Sequence, residues 1–189
     1  MSEIFRRALQ EHVALVQSLL PLSAQIERGA SLVAGALRGG RKLMLCGNGG
    51  SAADGQHIAA EMTGRFVKDR RPLAAIALST DTSALTCIAN DYSFDEVFAR
   101  QVMALGGAGD CLLAISTSGN SRNVIRAADA ARSASIQVIG LLGRDGGALR
   151  DICDVPIVVP SQTTARIQEA HILIGHTLCA LIEEALGLA

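Results

Sequence analysis

At 189 residues and a formal net charge of −1, the chain suits one domain and can bury a sizeable core without staples. Lys and Arg are scattered and aromatics make up only 3% of the residues, which leaves neither a basic stripe for duplex phosphates nor a platform for base stacking, so no nucleic acid partner is expected. With 49% hydrophobic residues and no Trp, the apolar volume comes from Ala, Leu, Ile and Val, a composition suited to helices packed on a buried parallel sheet.

The start, MSEIFRRALQEHVALV, carries charges throughout and has no long apolar core, so it does not read as a signal peptide. Apolar residues at helical spacing predict two amphipathic helices, Ile4–Leu20 and Ser23–Leu37, with stripes through Leu9, Val13, Val16 and Leu20 and through Ile26, Leu32, Val33 and Leu37. Such a pair is long for decoration on a small domain, and points to packing against a second copy. Residues 1–38 are therefore expected to form an oligomerising helical pair, and residues 39–189 the main domain. Five strand-sized apolar runs follow: Lys42–Cys46, Ala74–Leu78, Cys111–Ile115, Gln137–Leu141 and Val155–Val159. Helical patterns separate or follow them at Ala52–Phe66, Thr82–Ala89, Phe94–Leu105, Ser121–Ser133 and Thr163–Leu186. This alternation predicts right-handed crossovers and a parallel sheet covered on both faces. No apolar run approaches the ~20 residues that span a bilayer, so no membrane partner is expected. The five cysteines are odd in number and lack CxxC spacing, which suits reduced core thiols in a cytoplasmic protein.

In a sheet of this kind ligands sit beyond the carboxyl ends of the strands. The first strand runs into Gly47-Asn48-Gly49-Gly50-Ser51 and then a helix, where glycines admit a close ligand and helix N–H groups favour an anion. The same residues fit the G-x-G-x-x-A dinucleotide pattern, with Asp81 as a possible ribose-binding acid. After the third strand comes Ser116-Thr117-Ser118-Gly119-Asn120-Ser121. Four hydroxyls in six positions exceed what a helix cap needs, and predict phosphate binding. A Walker A loop is excluded because no GK[ST] ending exists. On the helix after the glycine loop, His57 and Glu61 are four apart and share a face, which suits proton transfer or a divalent metal. The last helix offers Arg166, Gln168, Glu169, His171 and His176, and periodicity alone does not choose between the two histidines.

Taken together, CGNGGSAADGQHIAAEMTGRF, ALSTDTSALTCIANDYSF, AISTSGNSRNV and ARIQEAHILIGH resemble, in order, the phosphoheptose isomerases of the sugar-isomerase (SIS) domain superfamily. The resemblance implies a three-layer αβα sandwich around a five-stranded parallel sheet, flavodoxin-like, preceded by helices, and a homotetramer with active sites at subunit interfaces. It implies conversion of D-sedoheptulose 7-phosphate to D-glycero-D-manno-heptose 7-phosphate through an enediol, the first step towards bacterial ADP- or GDP-heptose precursors. It assigns Asn48, Gly49, Gly50 and Ser51, with Asn90 and Asp91 nearby, to the substrate, and Ser116, Thr117, Ser118 and Ser121 to its phosphate. It also selects His176 over His171, and names His57, Glu61, Gln168 and His176 as a zinc site. Glu61 and His176 are then the acid–base pair, with Glu61 and Gln168 also touching substrate. A non-catalytic paralogue that binds the replication initiator shares most motifs, but that group lacks the acid at position 61 and the histidine at 176, and breaks the STSGNS run. This chain keeps all three, which favours the enzyme.

Overall fold

Apolar runs with no polar face have to be covered from both sides, and all five expected strands form in the computed structural model, which describes residues 2–189. The order along the chain is α1 (Glu3–Gln17), α2 (Ser23–Arg38), β1 (Leu43–Cys46), α3 (Gly50–Thr63), β2 (Ala75–Ala77), α4 (Thr82–Asp91), α5 (Ala99–Leu105), β3 (Cys111–Ser116), α6 (Arg122–Ser133), β4 (Gln137–Gly143), α7 (Leu149–Ile152), β5 (Val155–Val159) and α8 (Thr164–Ala185). All pairings are parallel, in the order β2-β1-β3-β4-β5. The chain leaves β1 towards one edge of the sheet and β3 towards the other, so the loops after these neighbouring strands diverge and open a crevice.

Period-two alternation sorts each strand's side chains between two cores. Leu43 and Leu45 of β1 join Leu113, Ile139 and Ile157 under α2, α3 and α8. Met44 and Cys46 join Leu112, Ala114 and Leu142 under α5 and α6. The result is the expected three-layer αβα sandwich.

Several expectations change. The single helix expected over Phe94–Leu105 is broken: a 3-10 turn at Phe94–Glu96 precedes α5, and the bend drives Val97 and Phe98 into the core. The short α7 has no counterpart in the sequence pattern. α3 starts two residues early, at Gly50, and stops at Thr63 against Gly64. The stripe on α2 needs no second copy, because Ile26, Val33 and Leu37 are buried on their own sheet with Leu32 packed beside them. The α1 stripe differs: Leu15 and Leu19 are buried, whereas Leu9, Val13 and Leu20 stay exposed. A polar tie holds α1 to α8. Arg166 Nη1 donates to the Ala8 carbonyl and Nη2 to Glu169 Oε1 at 2.6 Å, and Glu169 Oε2 lies 2.7 Å from His12 Nδ1. Arg166 and Glu169 are thus engaged by α1.

Of the cysteines, Cys46, Cys111 and Cys179 are buried as expected of core thiols, and burial holds Cys111 and Cys179 up at about 12. Cys87 departs from that reading: it is exposed on α4, its Sγ 3.4 Å from Asp91 Oδ2.

Candidate active site

The glycine loop becomes the start of α3. Gly49 caps the helix at φ +57°, a conformation that side chains resist. Gly50 opens the helix beneath the Gln168 side chain: a Cβ there would sit 2.7 Å from Gln168 Cδ and closer still to Nε2. The glycine loop and α8 are therefore in contact, as a shared pocket requires. Asn48 and Asn123 exchange two amide hydrogen bonds, each 2.8 Å, and Asn123 is only 2% exposed. Asn123 stands in the first turn of α6, so this pair joins the glycine loop to the hydroxyl loop.

In the hydroxyl loop, Ser116 Oγ lies 3.1 Å from Ser121 Oγ and 3.5 Å from Ser118 Oγ, and accepts from the Gly119 amide at 3.1 Å. Ser118 Oγ accepts from the Asn120 amide at 3.1 Å. Ser121 occupies the N-cap of α6, yet its side chain makes no capping bond. A hydroxyl turned into the loop instead of onto the helix is what an anion cradle needs.

Across the crevice α3 and α8 bring the acid–base candidates together. His57 Nε2 lies 3.2 Å from Glu61 Oε1 and 3.3 Å from His176 Nε2, with the two imidazoles edge to face and Phe66 tilted against His176. The helices approach this closely because Gly175 leaves room for Ile58, which a Cβ would meet at 2.7 Å. One donor atom from each of His57, Glu61 and His176 fits within 4.8 Å of the others. Two imidazoles and a carboxylate so arranged match the donor set of a zinc or similar site.

His171 is elsewhere. It is fully buried, with Nε2 3.0 Å from the Leu142 carbonyl oxygen. Burial pulls its pKa down to about 4, so the ring is neutral and donates that bond. Asp81 has a local role: its Oδ1 accepts from the Ala84 amide at 2.9 Å and caps α4. Asn90 and Asp91 end α4 exposed, and Asn90 donates to Asp91 at 2.8 Å; among the described residues no hydrogen bond joins either to the other site residues. Two further polar residues lie inside the quoted motifs without having been given a role. One is Asn123. The other is Asp54, one turn before His57, whose Oδ2 is buried without a partner; burial raises its pKa and His57 opposes the rise.

A sheet opened at its switch point over a hydroxyl-rich anion loop defines a sugar-phosphate-binding domain. Residues 9–143 match the model of the SIS domain, and the chain belongs to that family, in its phosphoheptose isomerase branch. It is 55% identical over 186 residues to the phosphoheptose isomerase of a Nitratiruptor species, spanning 98% of this chain and all of the relative. The Geobacter sulfurreducens phosphoheptose isomerase is 58% identical over 165 residues, 87% of each chain. The phosphoheptose isomerase structure from Neisseria gonorrhoeae superposes with a TM-score of 0.92 at 49% identity, covering 96% of this chain and 98% of the other.

Proposed function

We infer that the chain isomerises D-sedoheptulose 7-phosphate to D-glycero-D-manno-heptose 7-phosphate in the cytoplasm. The carrying observation is the convergence of Glu61 and His176, from separate helices, around His57. The phosphate is held by Ser116, Thr117, Ser118 and Ser121 and the start of α6, neutral donors that need no counter-charge. Asn48, Gly49, Gly50 and Ser51 line the sugar, with Asn90 and Asp91 at its edge. Ketose-to-aldose conversion moves a proton between C1 and C2, which needs a base at one carbon, an acid near the other and donors for the developing oxyanion. Glu61 takes and returns the carbon-bound proton, His176 serves the oxygens, and the Gln168 amide donates to the oxyanion. His57, Glu61, Gln168 and His176 would hold zinc, which polarises the substrate oxygens when bound. The replication-regulator reading finds no support in these residues.

Within residues 1–38, α1 and the turn after it are the assembly element, and the assembly is a tetramer. Ile4, Phe5, Leu9, Val13 and Leu20 leave an exposed apolar surface along and just beyond α1, continued by Leu173 of α8. Surface of this kind gains about 25 cal/mol per Å² on burial against a second copy.

The test is direct. Purified protein given sedoheptulose 7-phosphate should form the aldose phosphate, and Glu61→Gln or His176→Ala should lower turnover by about 10² or more. Chelation should reduce the rate and zinc restore it. Near-normal turnover in either variant removes that residue from the mechanism.

A further inference from the structure

The stretch Arg65–Arg71 is dense in charge, yet one of its side chains is buried. The Arg70 side chain is 2% exposed and that of Glu183 is 3% exposed, with Arg70 Nε donating to Glu183 Oε1 at 2.8 Å. The remaining donors go to the end of the helix that carries His57 and Glu61. Arg70 Nη2 donates to the carbonyl oxygen of Glu61 itself at 2.7 Å. Nη1 donates to those of Met62 at 2.8 Å and Gly64 at 3.0 Å, with Arg71 O at 3.1 Å. Carbonyls in the last turn of a helix have no partner inside it and form its negative end, so a guanidinium there satisfies both deficits.

Glu183 lies on α8, seven residues beyond His176. Seven residues is about two turns, so both stand on nearly the same face. One guanidinium thus links the backbone of Glu61 to the helix that presents His176. Stability alone does not call for charge here, because well-packed apolar side chains often match or better a buried ion pair. What the planar fork adds is direction: several donors fixed in one rigid plane.

We propose that Arg70, held by Glu183, is a positioning residue for the isomerisation, fixing where the Glu61 carboxylate stands relative to His176; this rests on the acid–base reading above. Arg70→Lys keeps the charge and loses the fork. It should lower kcat about 10- to 100-fold, the scale of a small misplacement of a catalytic group. KM for sedoheptulose 7-phosphate should stay within about twofold, since the loops that bind substrate are untouched. Circular dichroism and light scattering establish that the variant is folded and assembled. Arg70→Ala should regain turnover when guanidinium ion is supplied. Should neither Arg70 variant fold, Glu183→Gln leaves the carbonyl bonds in place but removes the counter-charge, and should give the same split at about threefold or more. Glu61→Gln, run in parallel, separates the two ways of failing. Inactive Glu61→Gln beside fully active Arg70→Lys, or fully active Glu183→Gln where only that variant folds, overturns the positioning role. Fully active Glu61→Gln overturns the acid–base reading itself.

Discussion

Replacing Gly50 with Ala isolates the geometry of the pocket from the stability of the fold. Gly50 is the first residue of α3 and has no left-handed φ, so Ala fits the backbone there. By restricting the unfolded chain, Ala should stabilise by roughly 0.4–1 kcal/mol. The added Cβ would meet Gln168 Cδ at 2.7 Å, against at least 3.4 Å for ordinary contact. Only the far end of a flexible side chain has to give way, so the fold loses little. The Gln168 amide, however, must leave its place by about 1 Å, and a displacement of that size near the chemistry costs about 10²-fold, or roughly 2.7 kcal/mol in the barrier. Gly50→Ala should therefore unfold at or slightly above the parent temperature while kcat/KM drops about 100-fold. Calorimetry beside a continuous isomerase assay measures both. Parental activity in this variant would refute the placement of Gln168 in the catalytic crevice, whatever the melting temperature.

Three further outcomes follow from other parts of the molecule. Ser118→Ala with Ser121→Ala should raise KM for the sugar phosphate at least about 10-fold, because two donors lost at roughly 1 kcal/mol each are felt together; saturable NAD binding competing with the sugar phosphate would instead revive the dinucleotide reading. His171 has its native pKa lowered from 6.5 to about 4, so its contribution is whole above 6.5 and is lost as pH falls from 6.5 towards 4, where the unfolded chain takes up a proton that the native one refuses. Urea unfolding at pH 7 and pH 5 should thus show a steeper loss in the parent than in His171→Leu, and equal slopes would contradict a neutral buried ring. Charged substitutions at Val13 and Val16 should break the assembly and abolish turnover together, and a fully active monomer by light scattering would sink the interfacial site.

Much of the fold is legible in the sequence because the strands are uniformly apolar and sharply bounded; Cys111–Ser116 could hardly be anything but buried. The hydroxyl loop and the glycine loop are legible for a similar reason, since each packs its chemistry into consecutive residues. What escapes is whatever depends on residues distant in sequence. Asn123 looks like one more polar residue in a helix until the fold sets it against Asn48, 75 residues away. Arg70 looks solvated until α8 delivers Glu183 to it. The two histidines of α8 are equivalent by periodicity and differ only because Leu142 lies over one and His57 beside the other. The stripes of α1 and α2 look alike, but only the second reaches its own sheet.

The paired amides of Asn48 and Asn123 also bear on how the protein ages. Asn48 is followed by Gly49, and a residue without a Cβ leaves the backbone nitrogen open to attack on the neighbouring side-chain amide. That ring closure needs the amide carbon of Asn48 to swing towards the Gly49 nitrogen. Two hydrogen bonds of 2.8 Å to a buried partner hold it away. If the ring did form and open to aspartate, a carboxylate would face the Asn123 carbonyl oxygen, two acceptors with no proton between them. The clasp that sets the distance between the two loops thus protects, in the folded protein, the bond in that loop most exposed to slow chemical decay.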